Sequence, residues 1–195
     1  MNFLSHIYLS GNSEGLLIGN YIADSVKGQV INDFPEEIRK GIVLHREIDT
    51  FTDQHPVVEL SKRRLRPKYR KYAGVIVDIY YDHFLAANWE NYSDESLPDF
   101  TKKIYRLLSE RSNSFPVKSQ RFTKYMLEYD ILNAYAKLEG IERVLQGMSG
   151  RAKFESNMEK SIHDLKEHYS SFENEFRKFF PELREYVNGR IIQSL

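Results

Sequence analysis

At 195 residues the chain is long enough to bury a core without covalent staples. It contains no cysteine, which excludes disulfides and thiolate metal sites, and 28 Lys+Arg balance 28 Asp+Glu, so no net field favours a nucleic-acid or membrane-surface binder. Any metal must be held by His, Asp, Glu or backbone oxygens, a donor set that favours manganese, magnesium, iron or zinc.

The apolar N-terminal stretch Met1–Ser10 has no basic flank and is soon cut by Gly11, Asn12 and Ser13, unlike a signal peptide. No window approaches the roughly 20 continuous apolar residues of a spanning helix, so a soluble, cytoplasmic protein is expected.

Residues 14–28 read as a helix with Ser13 as N-cap and Gly28 as the stop. Asp24 lies late in that segment, where the helix dipole disfavours a carboxylate, and this hints at a nearby cation. Asn32–Glu37 reads as a cap, with Pro35 at the first helical position, opening a helix that carries His45 and Asp49. That helix is expected to end at Asp53-Gln-His55-Pro56, where another begins. Pro67 is expected to open a central helix running to about Trp89. Ser96 and Pro98 announce a helix over 99–111, and periodicity resumes over about 120–137 and 140–148. A long helix from about Ala152 to Phe179 carries a heptad-like stripe at 154, 158, 162, 165, 169, 172, 176 and 179, and Pro181 opens a short terminal helix. No alternating strand pattern, repeat or long linker intervenes. The fold expected is all-α, a single multi-helix domain over residues 1–195.

The central run 73–89 has the apolar content of a buried helix, yet holds Asp78, Asp82 and His83. Asp78 and Asp82 are four apart and share a helix face, one turn above the other. A carboxylate removed from water costs several kcal/mol or more unless a cation, donor or proton meets it. His45 and Asp49 repeat the i, i+4 spacing upstream, so two helices can build a metal site between them. The candidate ligands are His6, Asp24, His45, Asp49, Asp78, Asp82 and His83. Singly, each is more often a satisfied core or paired residue; together, gathered on apolar helices of the first half, they favour a metal. His163 and His168 read as surface or boundary residues.

Two further stretches carry chemistry. The run 62–71 is densely basic, and Arg63, Arg64, Arg66, Lys68 and Arg70 offer a dock for phosphate or an acidic protein surface. Its bland reading is a solvated loop. In 49–56, Thr52, Asp53 or His55 serves as a helix cap, or His55, one or two turns from Asp49, acts as a general acid or holds a phosphate oxygen.

The blocks 1–6, 19–28, 45–56 and 73–86 occur in order and resemble the acyl carrier protein phosphodiesterases, with the helical remainder compatible. The resemblance implies an HD-phosphohydrolase-like, divalent-cation enzyme, with Mn2+ typical and Mg2+ or Fe2+ as alternatives. It also implies holo-acyl carrier protein as substrate, cleaved between 4′-phosphopantetheine and serine to give the apo protein. On that basis His6, Asp24, His45 and Asp78 are expected as ligands, with Asp82 or Asp49 completing the shell. His55 or His83 would protonate the leaving oxygen, Arg46 would steady the phosphate, and the basic run would receive the acidic carrier. The pair Asp82-His83 reverses the His-Asp order that names the HD group, so ligands do not transfer by that motif. The competing readings are a phosphohydrolase of a nucleotide or other small phosphoester, and a non-catalytic helical protein that binds an acidic partner. A monomer is expected.

Overall fold

The computed structural model describes residues 2–194; Met1 and Leu195, the ends of the expected 1–195 domain and of its first block, lie outside the described residues. The helices are α1 (Phe3–Leu9), α2 (Glu14–Ile22), α3 (Glu36–Gln54), α4 (Pro56–Tyr69), α5 (Ala73–Ala87), α6 (Leu97–Arg111), α7 (Val117–Glu128), α8 (Ile131–Ala134), α9 (Leu138–Arg151), α10 (Ser161–Glu167) and α11 (Tyr169–Ser194). Among the described residues there is no strand, so the all-α expectation holds. No helix there is long and apolar enough to cross a membrane.

The core is built around α5. Ile76, Val77, Ile79, Tyr80, Tyr81, Phe84 and Leu85 are all fully buried, and a helix apolar on every side belongs at the centre of a fold. From α11, Phe172, Phe176, Phe179 and Phe180 close one side of it; the Tyr80 and Phe172 rings lie 5.0 Å apart edge to face, and those of Tyr81 and Phe176 5.5 Å apart.

Local chemistry sets most boundaries. Ser13 Oγ accepts from Leu16 N at 3.2 Å and caps α2. Ser96 Oγ accepts from Asp99 N and donates to the Asp99 carboxylate, fixing the start of α6. His55 Nδ1 accepts from Val57 N and caps α4 directly before Pro56. The cap of that helix is therefore His55, and not Thr52, whose hydroxyl donates to the Ile48 carbonyl.

Several boundaries differ from the sequence reading. The helix from Glu14 ends at Ile22 and passes into 3-10 turns, with Gly28 at φ 56° inside the second. Pro35 is the N-cap of α3 and not its first helical residue. Pro67 sits in the last turn of α4, not at the start of α5; Arg70 at φ 48° then turns the chain. The expected helix 152–179 is broken, because Asn157 at φ 53° and an irregular stretch precede α10 and another break falls at His168. Phe154 of the stripe is accordingly 58% exposed. Pro181 lies within α11, where burial of the flanking Phe179, Phe180 and Leu183 outweighs one lost backbone bond. Residues 120–137 are likewise interrupted, at Asp130 with φ 47°.

One contact between helices positions the site. Gly19 of α2 and Gly41 of α3 meet so closely that a Cβ on Gly19 would stand 2.8 Å from the Gly41 Cα and nearer still to the Ile38 carbonyl. A Cβ on Gly41 would meet the Gly19 Cα at 2.9 Å and lie closer yet to the Leu16 carbonyl. Backbone packs on backbone, bringing Asn20 and the turn with Asp24 beside His45 and Asp49.

Candidate active site

A pocket of about 230 Å3 opens where α1, the end of α2, α3 and α5 converge, and Asn2, His6, Asn20, Asp24, His45, Asp49, Asp53 and Asp78 are in its wall. His6 and His45 stack in it, ring centroids 4.0 Å apart. Ligand atoms of His6, His45 and Asp49 all lie within 4.8 Å of one another. His45 Nε2 is 3.2 Å from Asp49 Oδ2 and 3.6 Å from Asp24 Oδ1.

Asn20, fully buried, settles which nitrogens face the pocket. Its Nδ2 donates to the His6 carbonyl at 2.9 Å and to Ser10 Oγ at 3.0 Å, so its Oδ1 is an acceptor. His6 Nδ1 donates to that oxygen at 2.8 Å, and His45 Nδ1 donates to the Asn20 backbone carbonyl at 2.9 Å. Both imidazoles therefore turn Nε2 toward the pocket, the arrangement in which histidine ligates metals. His6 Nε2 is buried without a hydrogen-bond partner among the described residues, 3.2 Å from Asp49 Oδ1. A lone pair thus faces a carboxylate oxygen, a repulsive juxtaposition that a cation between them would relieve.

The protonation pattern agrees with this. Burial pulls the His45 imidazole down, but Asp24 and Asp49 outweigh it and lift it to about 9, so a proton on Nε2 fills the cation's place. Burial and the neighbouring His45 push His6 down to about 4. His45 lowers the Asp24 carboxyl, and at Asp49 burial is overcome, by His45 first, so that it is held well below the usual carboxylate range. Burial raises the Asp78 carboxyl.

Of the residues expected from sequence, His6, Asp24, His45, Asp49 and Asp78 come together here. Asp82 does not. Fully buried, it accepts from Leu4 N at 2.8 Å, Ser5 N at 3.0 Å and Ser5 Oγ at 2.5 Å, capping α1 from α5. It positions the helix that bears His6, and burial pushes its carboxyl up to about 6. His83 is also outside the pocket wall, its Nδ1 donating to the Tyr135 carbonyl at 2.7 Å and its Nε2 3.0 Å from the Tyr169 hydroxyl. His55 caps α4, with Nε2 3.2 Å from Glu182, and is held against Phe179. Arg46 is exposed one residue beyond His45, so it projects about 100° away and reaches the Val26 carbonyl at 3.4 Å. None of these three faces the pocket as the sequence reading had them do.

The basic run is largely neutralised within the fold. Glu175 takes Arg64 through two bonds of 2.7 and 2.9 Å, Glu59 takes both Arg66 and Arg63, and Asp164 takes Lys68 at 2.7 Å. Arg70 is exposed. Glu59 and Arg63 have the local i, i+4 spacing, whereas Glu175 and Asp164 come from α11 and α10, which no local pattern could assign. Sequence reasoning missed Asn20, Asn2 and the role of Asp53, whose Oδ1 takes Lys62 Nζ at 2.6 Å. A polar residue inside the apolar stretch 16–22 was the available signal for Asn20.

The sequence model described as acyl carrier protein phosphodiesterase matches residues 1–183. The acyl carrier protein phosphodiesterase of Yersinia enterocolitica serotype O:8 / biotype 1B is 34% identical over 193 residues, covering 98% of this chain and 100% of its own. That of Klebsiella pneumoniae subsp. pneumoniae is 33% identical over 191 residues, covering 97% and 99%, and that of Escherichia coli O6:H1 32% over 197 residues, covering 98% and 100%. No solved structure matches the chain. With the match running through every pocket residue and nearly end to end, the chain belongs to the acyl carrier protein phosphodiesterase family.

Proposed function

We propose that this protein hydrolyses the phosphodiester joining 4′-phosphopantetheine to the serine of holo-acyl carrier protein, releasing the apo protein, with a divalent cation held by His6, His45, Asp49 and Asp24. The observation that carries the reading is the pair of imidazoles whose Nδ1 atoms are both committed to Asn20, leaving both Nε2 atoms against carboxylates in an open pocket. A sulfur-free set of two imidazoles and two carboxylates suits Mn2+ best, with Mg2+ or Fe2+ as related choices.

A divalent cation bound there supplies positive charge to the phosphodiester and lowers the pKa of water. The chain's own residues do the rest. Asn20 holds both imidazoles in the ligating tautomer, so no ring flip accompanies binding. Asp82 fixes α1 and with it the height of His6 in the wall. Asp78, in the pocket wall, takes the role of passing a proton from Oδ to the departing serine oxygen. This role replaces the one expected of His55 or His83.

The test is the intact mass of holo-acyl carrier protein after incubation with the protein, with Mn2+ and with chelator. Loss of the phosphopantetheine mass with Mn2+ alone supports the reading. An unchanged mass under both conditions overturns it.

A further inference from the structure

Beside the pocket runs a trough of about 960 Å3 that shares Asn2, Phe3, Asp24 and Asp78 with it. Its floor is apolar, with Val75 of α5, Phe122 of α7 and Val144 and Met148 of α9. Donors stand along its edge: Arg121, exposed, and Arg151, whose guanidinium lies 5.6 Å from the Tyr125 ring centroid. Its size falls within the roughly 300–1,000 Å3 of sites that enclose a small elongated ligand.

Two groups leave the phosphorus of the proposed diester in different directions. One is a folded protein attached through serine, too broad to enter a trough. The other is a slender chain of aliphatic carbons interrupted by two amides and ending in a thiol. An apolar floor matches the aliphatic carbons, and guanidinium donors at the edge match the amide carbonyls. We infer that the trough binds the pantetheine arm, its phosphate end at Asp24 and Asp78 and its thiol end toward Met148 on α9. This assignment rests on the proposed diester hydrolysis for its ligand, and on the continuity of trough and pocket for its place.

The experiment titrates pantetheine, free of phosphate and carrier, into the whole protein by calorimetry, comparing wild type with Met148→Trp and with Val117→Trp. Val117 lines the trough and is 62% exposed, so its variant folds even if the half-buried Met148 resists a larger ring. Mn2+ affinity and melting temperature report that each variant is intact. Expected is wild-type binding that weakens about tenfold or more when the trough is filled, with KM for holo-carrier rising in parallel and kcat changing less. Failure of pantetheine to bind the wild type, or binding untouched by both substitutions, overturns the inference. So does a concentration-dependent dimer that either substitution dissolves, since the trough would then seat a second copy. If the wild type cleaves no diester, the proposed function fails while the pantetheine titration still decides the trough.

Discussion

Asn20 Oδ1 lies 2.8 Å from His6 Nδ1 and 3.1 Å from His45 Nδ1, so one amide oxygen orients both stacked imidazoles. Removing it frees the His6 ring to turn Nδ1 toward the pocket, while His45 Nδ1 keeps the backbone carbonyl of residue 20. Asn20→Ala should therefore lower Mn2+ affinity by about 10- to 100-fold, the usual effect of deleting a group behind a ligating histidine. Titration with Mn2+ measures this, and an affinity equal to wild type would show that the tautomers are held by something else.

Asp82→Ala orphans the Leu4 and Ser5 amides at the start of α1 but also releases a buried carboxylate. The unpaired donors win, because each costs about 1–3 kcal/mol, and a net destabilisation of about 2 kcal/mol is expected in urea melts. Metal affinity should fall with it, since His6 rides on α1. Full affinity in a destabilised variant would separate α1 from the site.

Gly41→Ala drives a methyl group against the backbone of α2. A cost of about 1–3 kcal/mol is expected, together with weakened Mn2+ binding as Asn20 and Asp24 are pushed off His45 and Asp49. Gly150→Ala is the comparison, for a Cβ there meets nothing within 4 Å and the residue lies in α9. Equal stability of the two variants would refute the close approach.

Burial holds the His83 imidazole below its ordinary 6.5, against the opposing pull of the Tyr135 carbonyl and Glu173. Below about pH 6.5 the unfolded chain takes up this proton before the folded one does, so stability falls as pH falls; above it both states are neutral and His83 contributes nothing. His83→Gln should flatten the loss of stability between pH 6.5 and 5. Urea melts at pH 7.5, 6 and 5 test this, and an unaltered slope would mean that the ring is protonated in the native state.

Charge reversal at Arg66 should change KM for holo-carrier by less than about twofold, because Glu59 already neutralises that guanidinium and exposed pairs contribute little. A tenfold rise, with loss of salt dependence, would restore the basic run as the carrier's dock.

What the sequence made legible follows the range of the interactions involved. Helical period, Ser13, Ser96 and His55-Pro56 are local signals, and the structure follows them. The i, i+4 pair His45 and Asp49 needed only helix geometry to be read as one unit, and its rings and carboxylate are in contact. Asp78 and Asp82 share a face as their spacing demands, yet serve different ends, because α1 arrives beside one and the pocket opens beside the other. That divergence depends on contacts across 77 and 78 residues of chain, which no window displays. Pro67 and Pro181 misled for a related reason: burial around each decided whether the helix survived one missing bond. Arg64 and Lys68 of the charged run looked free because their acids lie 111 and 96 residues away.

Seven residues are too few for a helix to persist by itself, since isolated helices below about 12–15 residues are marginal in water. α1 is held at its start by Asn2, which accepts from Phe3 N, and by Asp82, which receives the next two amides. On the ribosome every pocket carboxylate and both imidazoles emerge before residue 82 does, and although α2 can meet α1 through Asn20, the acceptor of the Leu4 and Ser5 amides arrives only with α5. The pocket is thus a late product of synthesis, assembled when the middle of the chain returns to claim its beginning.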